Sequence, residues 1–254
     1  MSLTLKLKLI IILGSITAAA AIAVPTTVVL LNNNNTINLT LLDNAGVMIE
    51  AKGLRIYIDP INLPYDNYSD LAADAILITH EHGDHYQFSM VSMLQKTDTL
   101  NVFPAIMTTA IEDHDGLAVV PGDSFMVGSI EITCFYMYTF APEPYDPSHP
   151  PESNYTSYII DIDGFTIFHA GDSGELPEYS QLTGTIDVAM LPLGPGCQTM
   201  CDMEVVDVLN TIQPTYFMPI HAIESSRESF LAVYGSYLTD FTVLNLNNFE
   251  SYQF

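Results

Sequence analysis

Beyond an uncharged stretch near its start, the chain places apolar and polar residues at two alternating periods, and each change of period marks an element. Short β-branched and apolar runs at 37–42, 47–51 and 54–58 are separated by Asn44-Ala45-Gly46 and Lys52-Gly53, which predicts a three-strand meander. Ala75 and the run Ile76-Leu77-Ile78 predict a buried strand, and 88–96 has helical spacing. Further strands are expected at 102–103, 118–120 and, after the Pro121-Gly122-Asp123 turn, at 130–138. Residues 155–162 and 165–168 flank Asp163-Gly164 as a hairpin. A strand follows at 188–191, and 202–212 carries Val205, Val206, Val208 and Leu209 on one face, as a helix packed on a sheet would. The run Tyr216-Phe217-Met218-Pro219-Ile220 completes an α/β pattern.

Three of these runs end in polar residues of one chemical kind. The strand at 76–78 leads into Thr79-His80-Glu81-His82-Gly83-Asp84-His85, which packs three of the seven histidines into six positions. Imidazoles with a carboxylate suit zinc or a similar first-row divalent ion. In an extended segment His80 and His82 share a face, and Gly83 permits a sharp turn that sends Asp84 and His85 toward a second position. Glu81 points away from both by the same alternation. The hairpin delivers His169-Ala170-Gly171-Asp172-Ser173-Gly174 at its end, and the last run ends in His221.

These residues resemble a known family. The His-x-His-x-Asp-His segment over 80–85 is similar to the signature of the metallo-β-lactamase superfamily, mostly binuclear metallohydrolases. The resemblance spans roughly 37–245 and implies a four-layer αββα sandwich. It also implies that His80, His82 and His149 hold one divalent ion, that Asp84, His85 and His221 hold the other, and that Asp172 bridges them. Zn2+ is the expected metal, with Mn2+ or Fe2+ as alternatives. Catalytic roles fall to Asp84, which would orient a metal-bridging hydroxide, and to Asp172. His149 sits in Pro147-Ser148-His149-Pro150-Pro151, where the branch containing L-ascorbate 6-phosphate lactonase carries this ligand on a longer loop; His114 is its competitor. Leu191-Pro192-Leu193-Gly194 and Thr199-Met200 also resemble that branch. Family members carry a similar Ile-Asp-Pro stretch, in which Asp59 would support the site; a plain turn residue is an equal reading. His169 is expected to be structural.

Composition and charge bear on location and substrate. Lys6 and Lys8 precede a run from Leu9 to Leu31 without a charge, long enough to cross a bilayer of roughly 30 Å as a helix with its N-terminus in the cytoplasm. A cleavable signal ending near Ala21-Ile22-Ala23 is the rival, and both readings export the domain. The expected division is 1–35, anchor or signal plus an asparagine linker, and 36–254, one hydrolase domain. The formal charge is -24, with six basic residues against thirty acidic ones. Beyond residue 40 only Lys52, Arg55, Lys96 and Arg227 are cationic, which disfavours nucleic acid. A small ester, lactone or phosphodiester remains, since one arginine can position one phosphate. Tyr65, Tyr68, Tyr86, Tyr138 and Tyr145 flank the ligand loops, as pocket wall or core edge. An iron-dependent oxidoreductase and a non-catalytic binding module are the alternatives. Cys197 and Cys201 are close enough for a strained disulfide, and Cys134 is left over.

Overall fold

The structure, a computed structural model, describes residues 36–142, 144–194 and 199–254. The readings placed on 1–35 and on Cys197 lie outside the described residues, among which no helix is long and apolar enough to cross a membrane.

The first sheet is built from β1 (Asn38–Leu41), β2 (Val47–Ala51), β3 (Leu54–Ile58), β4 (Ala75–Leu77), β5 (Leu100–Pro104) and β6 (Leu117–Val119). The second contains β7 (Ser124–Val127), β8 (Ile130–Tyr136), β9 (Thr156–Ile162), β10 (Phe165–His169), β11 (Val188–Pro192), β12 (Tyr216–Ile220) and β13 (Thr242–Val243). A last strand, β14 (Ser251–Gln253), returns to the first sheet and pairs antiparallel with β1. Each sheet is antiparallel on one side, then parallel from β3 to β6 and from β10 to β13. A parallel pair needs a crossover, so the chain leaves each parallel strand at its C-terminal end and turns there, where ligands collect.

Side-chain alternation separates the layers. Ile56, Ile58, Ala75 and Leu77 face Ile132, Tyr158, Ile160, Met190 and Met218 in a core between the sheets. The residues between them, Tyr57 and Ile76, join Ile78 and Phe103 on the outer face, beneath Tyr68 of α1 (Tyr65–Tyr68), Val91 and Leu94 of α2 (Phe88–Leu94) and Ala110 of α3 (Thr108–Asp113). On the other outer face, Phe168, Ala189, Leu191 and Phe217 meet α4 (Asp202–Ile212) and α5 (Glu224–Tyr234). The described domain is therefore helix, sheet, sheet, helix. The start of α4 is closed by Glu204, whose carboxylate accepts the Cys201 backbone N–H at 2.7 Å, and its buried face is the run Val205, Val206, Val208, Leu209 and Ile212. Leu209→Ala would cost about 2–5 kcal/mol by opening that face.

Most sequence-derived strands fall within a few residues of those found. The chain adds β7, α3, α5 and the edge strands β13 and β14, whose short or mixed patterns carry no strong period.

Candidate metal centre

Strand β4 runs through Ile78 and Thr79 into His80, and the turn beyond it is closed by His85 N–H donating to the His82 carbonyl at 2.9 Å. From the second sheet, His149 arrives on the loop after β8, held by its backbone N–H to Thr139 Oγ1 (3.2 Å) and by Thr139 N–H to its carbonyl (2.9 Å). Asp172 follows β10 after Gly171, which has φ +57° and lies so near Met137 Sδ and Thr79 that a Cβ would stand 2.6 Å from the sulfur. Glycine is required there for both reasons. His221 follows β12 with φ +54°, a left-handed conformation that costs a non-glycine residue of order 1 kcal/mol.

These side chains form two clusters that share Asp172. In the first, His80 Nε2 lies 3.1 Å from His82 Nδ1 and 3.3 Å from His149 Nε2, and His149 Nε2 lies 3.2 Å from His82 Nδ1. Asp172 Oδ2 is 3.8 Å from both His80 and His149. In the second, His85 Nε2 is 3.0 Å from Asp172 Oδ1, and His221 Nε2 is 3.3 Å from Asp84 Oδ2 and 3.4 Å from Asp172 Oδ2. Ligands about 2.0–2.1 Å from one tetrahedral ion stand about 3.3 Å apart. The observed separations match that spacing.

The hydrogen bonds show which atoms carry lone pairs. Asp59, fully buried, accepts Thr79 N–H at 2.8 Å, Thr79 O–H at 2.6 Å and the His85 Nδ1–H at 2.7 Å. Thr79 has thereby spent its only hydroxyl proton, so its Oγ1 accepts from His80 Nδ1 at 3.0 Å. Both imidazoles keep their proton on Nδ1 and aim Nε2 into the clusters as the atom that can meet a metal ion. His85 Nε2 and Asp172 Oδ1 are buried without a hydrogen-bond partner although they face one another. Two acceptors in that position need positive charge between them, either a metal ion or, without one, a proton on His85 Nε2. The donor set fits divalent metal.

Titration follows the same logic. Burial lowers the His85 pKa, but Asp172 and Asp59 beside it outweigh burial and push it up to about 10. Burial drives His80 well below the usual range, and His149 down to about 4. Burial raises the Asp172 carboxyl, and the neighbouring His85 overcomes this to leave it below the usual carboxylate value. The pocket demands positive charge at one end and neutral imidazole at the other.

All seven residues singled out as ligands thus converge. His114 does not: it sits at the end of α3 between Phe103 and Phe88, facing Tyr86 OH at 3.3 Å and Gln95 Oε1 at 3.2 Å. Asp59 is a supporting residue, not a bare turn. His169 is structural, its Nε2 donating to the Ala45 carbonyl (2.7 Å) while its Nδ1 accepts Gly171 N–H (3.1 Å). Glu81 is exposed. The sequence offered no sign of Asn44, whose side chain donates to the Asp84 carbonyl at 3.0 Å and whose carbonyl accepts His221 N–H at 3.1 Å. Beside His221 opens a cleft of about 700 Å³, walled in part by Asn44, Ile223, Arg227 and Asn247. None of the five flanking tyrosines lines that cleft.

Comparison with known proteins agrees with this geometry. A UPF0173 protein of Pyrococcus abyssi is 29% identical over 183 residues, 70% of this chain and 80% of the relative. A UPF0173 metal-dependent hydrolase of Staphylococcus carnosus is 25% identical over 212 residues, 76% of this chain and 91% of its own. The structure of a metallo hydrolase from Ignicoccus hospitalis, 22% identical, superposes with a TM-score of 0.69 over 87% of this chain and 99% of the other. The β-lactamase superfamily domain matches residues 38–221, which takes in every residue of both clusters, and the chain belongs to that superfamily of metal-dependent hydrolases.

Proposed function

We propose that the chain is a binuclear hydrolase acting on a small ester, lactone or phosphodiester. The observation that carries this reading is the pair of lone-pair clusters joined by Asp172, with His85 Nε2 and Asp172 Oδ1 left unsatisfied by protein. His80, His82 and His149 would hold one divalent ion, Asp84, His85 and His221 the other, with Asp172 between; five imidazoles and two carboxylates favour zinc. Such ions lower the pKa of water and polarise a carbonyl or phosphoryl oxygen.

The protein's own part is orientation. Asp59 fixes His85 directly and His80 through Thr79, so one carboxylate aligns a ligand in each cluster. Asp84, whose side chain is 53% exposed, presents Oδ2 to the mouth of the site, where it can accept the proton of an attacking water. Asp172 is buried, with Oδ1 toward His85 of the second cluster and Oδ2 between His221 of the second (3.4 Å) and His80 and His149 of the first (3.8 Å). The outer location read from Lys6, Lys8 and the run to Leu31 is proposed on the sequence alone.

Elemental analysis of the purified protein should find two divalent ions per chain, and chelation should abolish hydrolysis that zinc restores. Full hydrolysis by metal-free protein would end the proposal.

A further inference from the structure

We infer that Arg227 is an anion anchor, and that the substrate of the proposed hydrolase carries a carboxylate or phosphate group apart from the bond that is cleaved. The inference rests on the hydrolase reading for the word substrate, and on the following geometry for the anchor itself.

The described domain has four cations, and three are neutralised by a carboxylate. Lys52 pairs with Asp163, Arg55 with Glu50 at 2.7 Å, and Lys96 with Asp74 at 2.6 Å. Arg227 has no such pair among the described residues, although the chain carries thirty acidic residues and could readily have supplied one. It is also the most buried of the four, 2% exposed, and Glu250, which feels its charge, forms no ion pair with it but accepts the Asn247 N–H at 2.9 Å, so the buried charge lacks a direct counter-ion.

Its partners are neutral oxygens. Nη1 donates to the Ala222 carbonyl at 2.7 Å, Nε to Asn245 Oδ1 at 3.2 Å and Nη2 to Asn247 Oδ1 at 3.4 Å. A guanidinium has five N–H groups, so two remain without a partner among the described residues. Arg227 lines the cleft that begins at His221, together with Asn44, Ser226, Asn247 and Asn248. Two acids share that wall. Asp43 is occupied as acceptor for Asn62 (2.9 Å) and Asn248 (3.0 Å), and Glu224 stands on the exposed rim. A guanidinium with spare donors, fixed by three bonds, is a preformed fork for an oxyanion. An anion bound there would supply the direct ion pair that Arg227 lacks among the described residues and extend the substrate from His221 along the cleft.

Two tests separate the anchor from the hydrolase reading. The chain has only two arginines, Arg55 and Arg227, so an 15N-arginine-labelled sample gives two Nε–H signals. Titration of metal-free protein with inorganic phosphate, and separately with acetate, should shift the Arg227 signal and leave Arg55 in place; response to one anion alone identifies its class. No shift of Arg227 with either overturns the anchor, whether or not the protein hydrolyses anything. In the metal-loaded protein, an ester bearing a carboxylate or phosphate is compared with its neutral counterpart. Arg227→Met and Arg227→Lys should each lower the ratio of their kcat/KM values, on the order of 10- to 100-fold for Arg227→Met. A ratio unchanged in both variants assigns Arg227 only to holding Ala222, and overturns the inference.

Discussion

The two metal clusters are built from the same residue types and differ in how they are held. The first takes three imidazoles, two of them deeply buried, with no carboxylate of its own beyond the shared Asp172. The second takes two carboxylates, one of them half exposed, and a histidine in a left-handed conformation. Asp59 braces a histidine in each, His80 through Thr79 and His85 directly; beyond it, the first is held by buried Thr139 and the second depends in part on the exposed amide of Asn44. A buried neutral site should hold its ion tightly over a broad range of conditions. A half-open, anionic one should exchange its ion and respond to acid.

The largest effect should erase the difference. Asp172→Ala removes the one ligand common to both clusters, so metal content should fall at both and hydrolysis by more than about 1,000-fold, well past the 10- to 100-fold of supporting residues. Retention of one full equivalent of zinc would show that the clusters do not depend on their shared carboxylate.

His149→Ala should expose the asymmetry, lowering affinity at the first cluster by about 100-fold while the second keeps its ion; His114→Ala should leave metal content intact and cost about 1–3 kcal/mol of stability through its lost partners. Stepwise metal titration resolves the two. The reverse pattern would give the ligand role to His114.

Acid should act on the second cluster. In metal-free protein His85 has its pKa raised to about 10, so near neutrality an incoming ion must expel its proton, and affinity should climb about tenfold per pH unit until that value. The sign for the metal-free fold is the opposite: a raised pKa adds stability that is complete below about pH 6.5 and is lost as the pH rises toward 10. His80 and His149, both lowered, have no proton to expel at neutral pH. Competitive zinc titrations at several pH values should give a steep line for one site and a flatter one for the other. Two parallel lines would refute the contrast.

The smallest effect tests the amide brace. Asn44 has φ +56°, so Asn44→Gly keeps the backbone while removing the side chain, and the second cluster should weaken by about tenfold or less with the first unchanged.

How far this was visible beforehand divides along the same line. His80, His82, Asp84 and His85 lie within six positions, and Gly171-Asp172 and His221 end apolar runs, so local pattern sufficed to find them. His149 has no such pattern around it, and only the resemblance, which places this ligand on a longer loop between the 130–138 strand and the hairpin, distinguished it from His114. Asp59, Thr79 and Asn44 could not be ranked from sequence because their roles come from partners up to 177 residues away, as with Asn44 and His221. The layers were legible where period was strong, as in α4 over 202–212, and illegible at β7, β13 and β14, which are defined by their neighbours.

The pairing of β14 with β1 has a kinetic consequence. Asn38 lies opposite Gln253, so the outer strand of the first sheet waits for residues that leave the ribosome more than two hundred positions later. During synthesis β1 has one free edge, and the layer that carries His80 to His85 is incomplete until residues 251–253 have emerged. Contacts of such sequence separation slow folding and leave a strand edge open to other chains. Deleting Ser251–Phe254 should therefore appear first as aggregation of newly made protein rather than as loss of metal from what does fold.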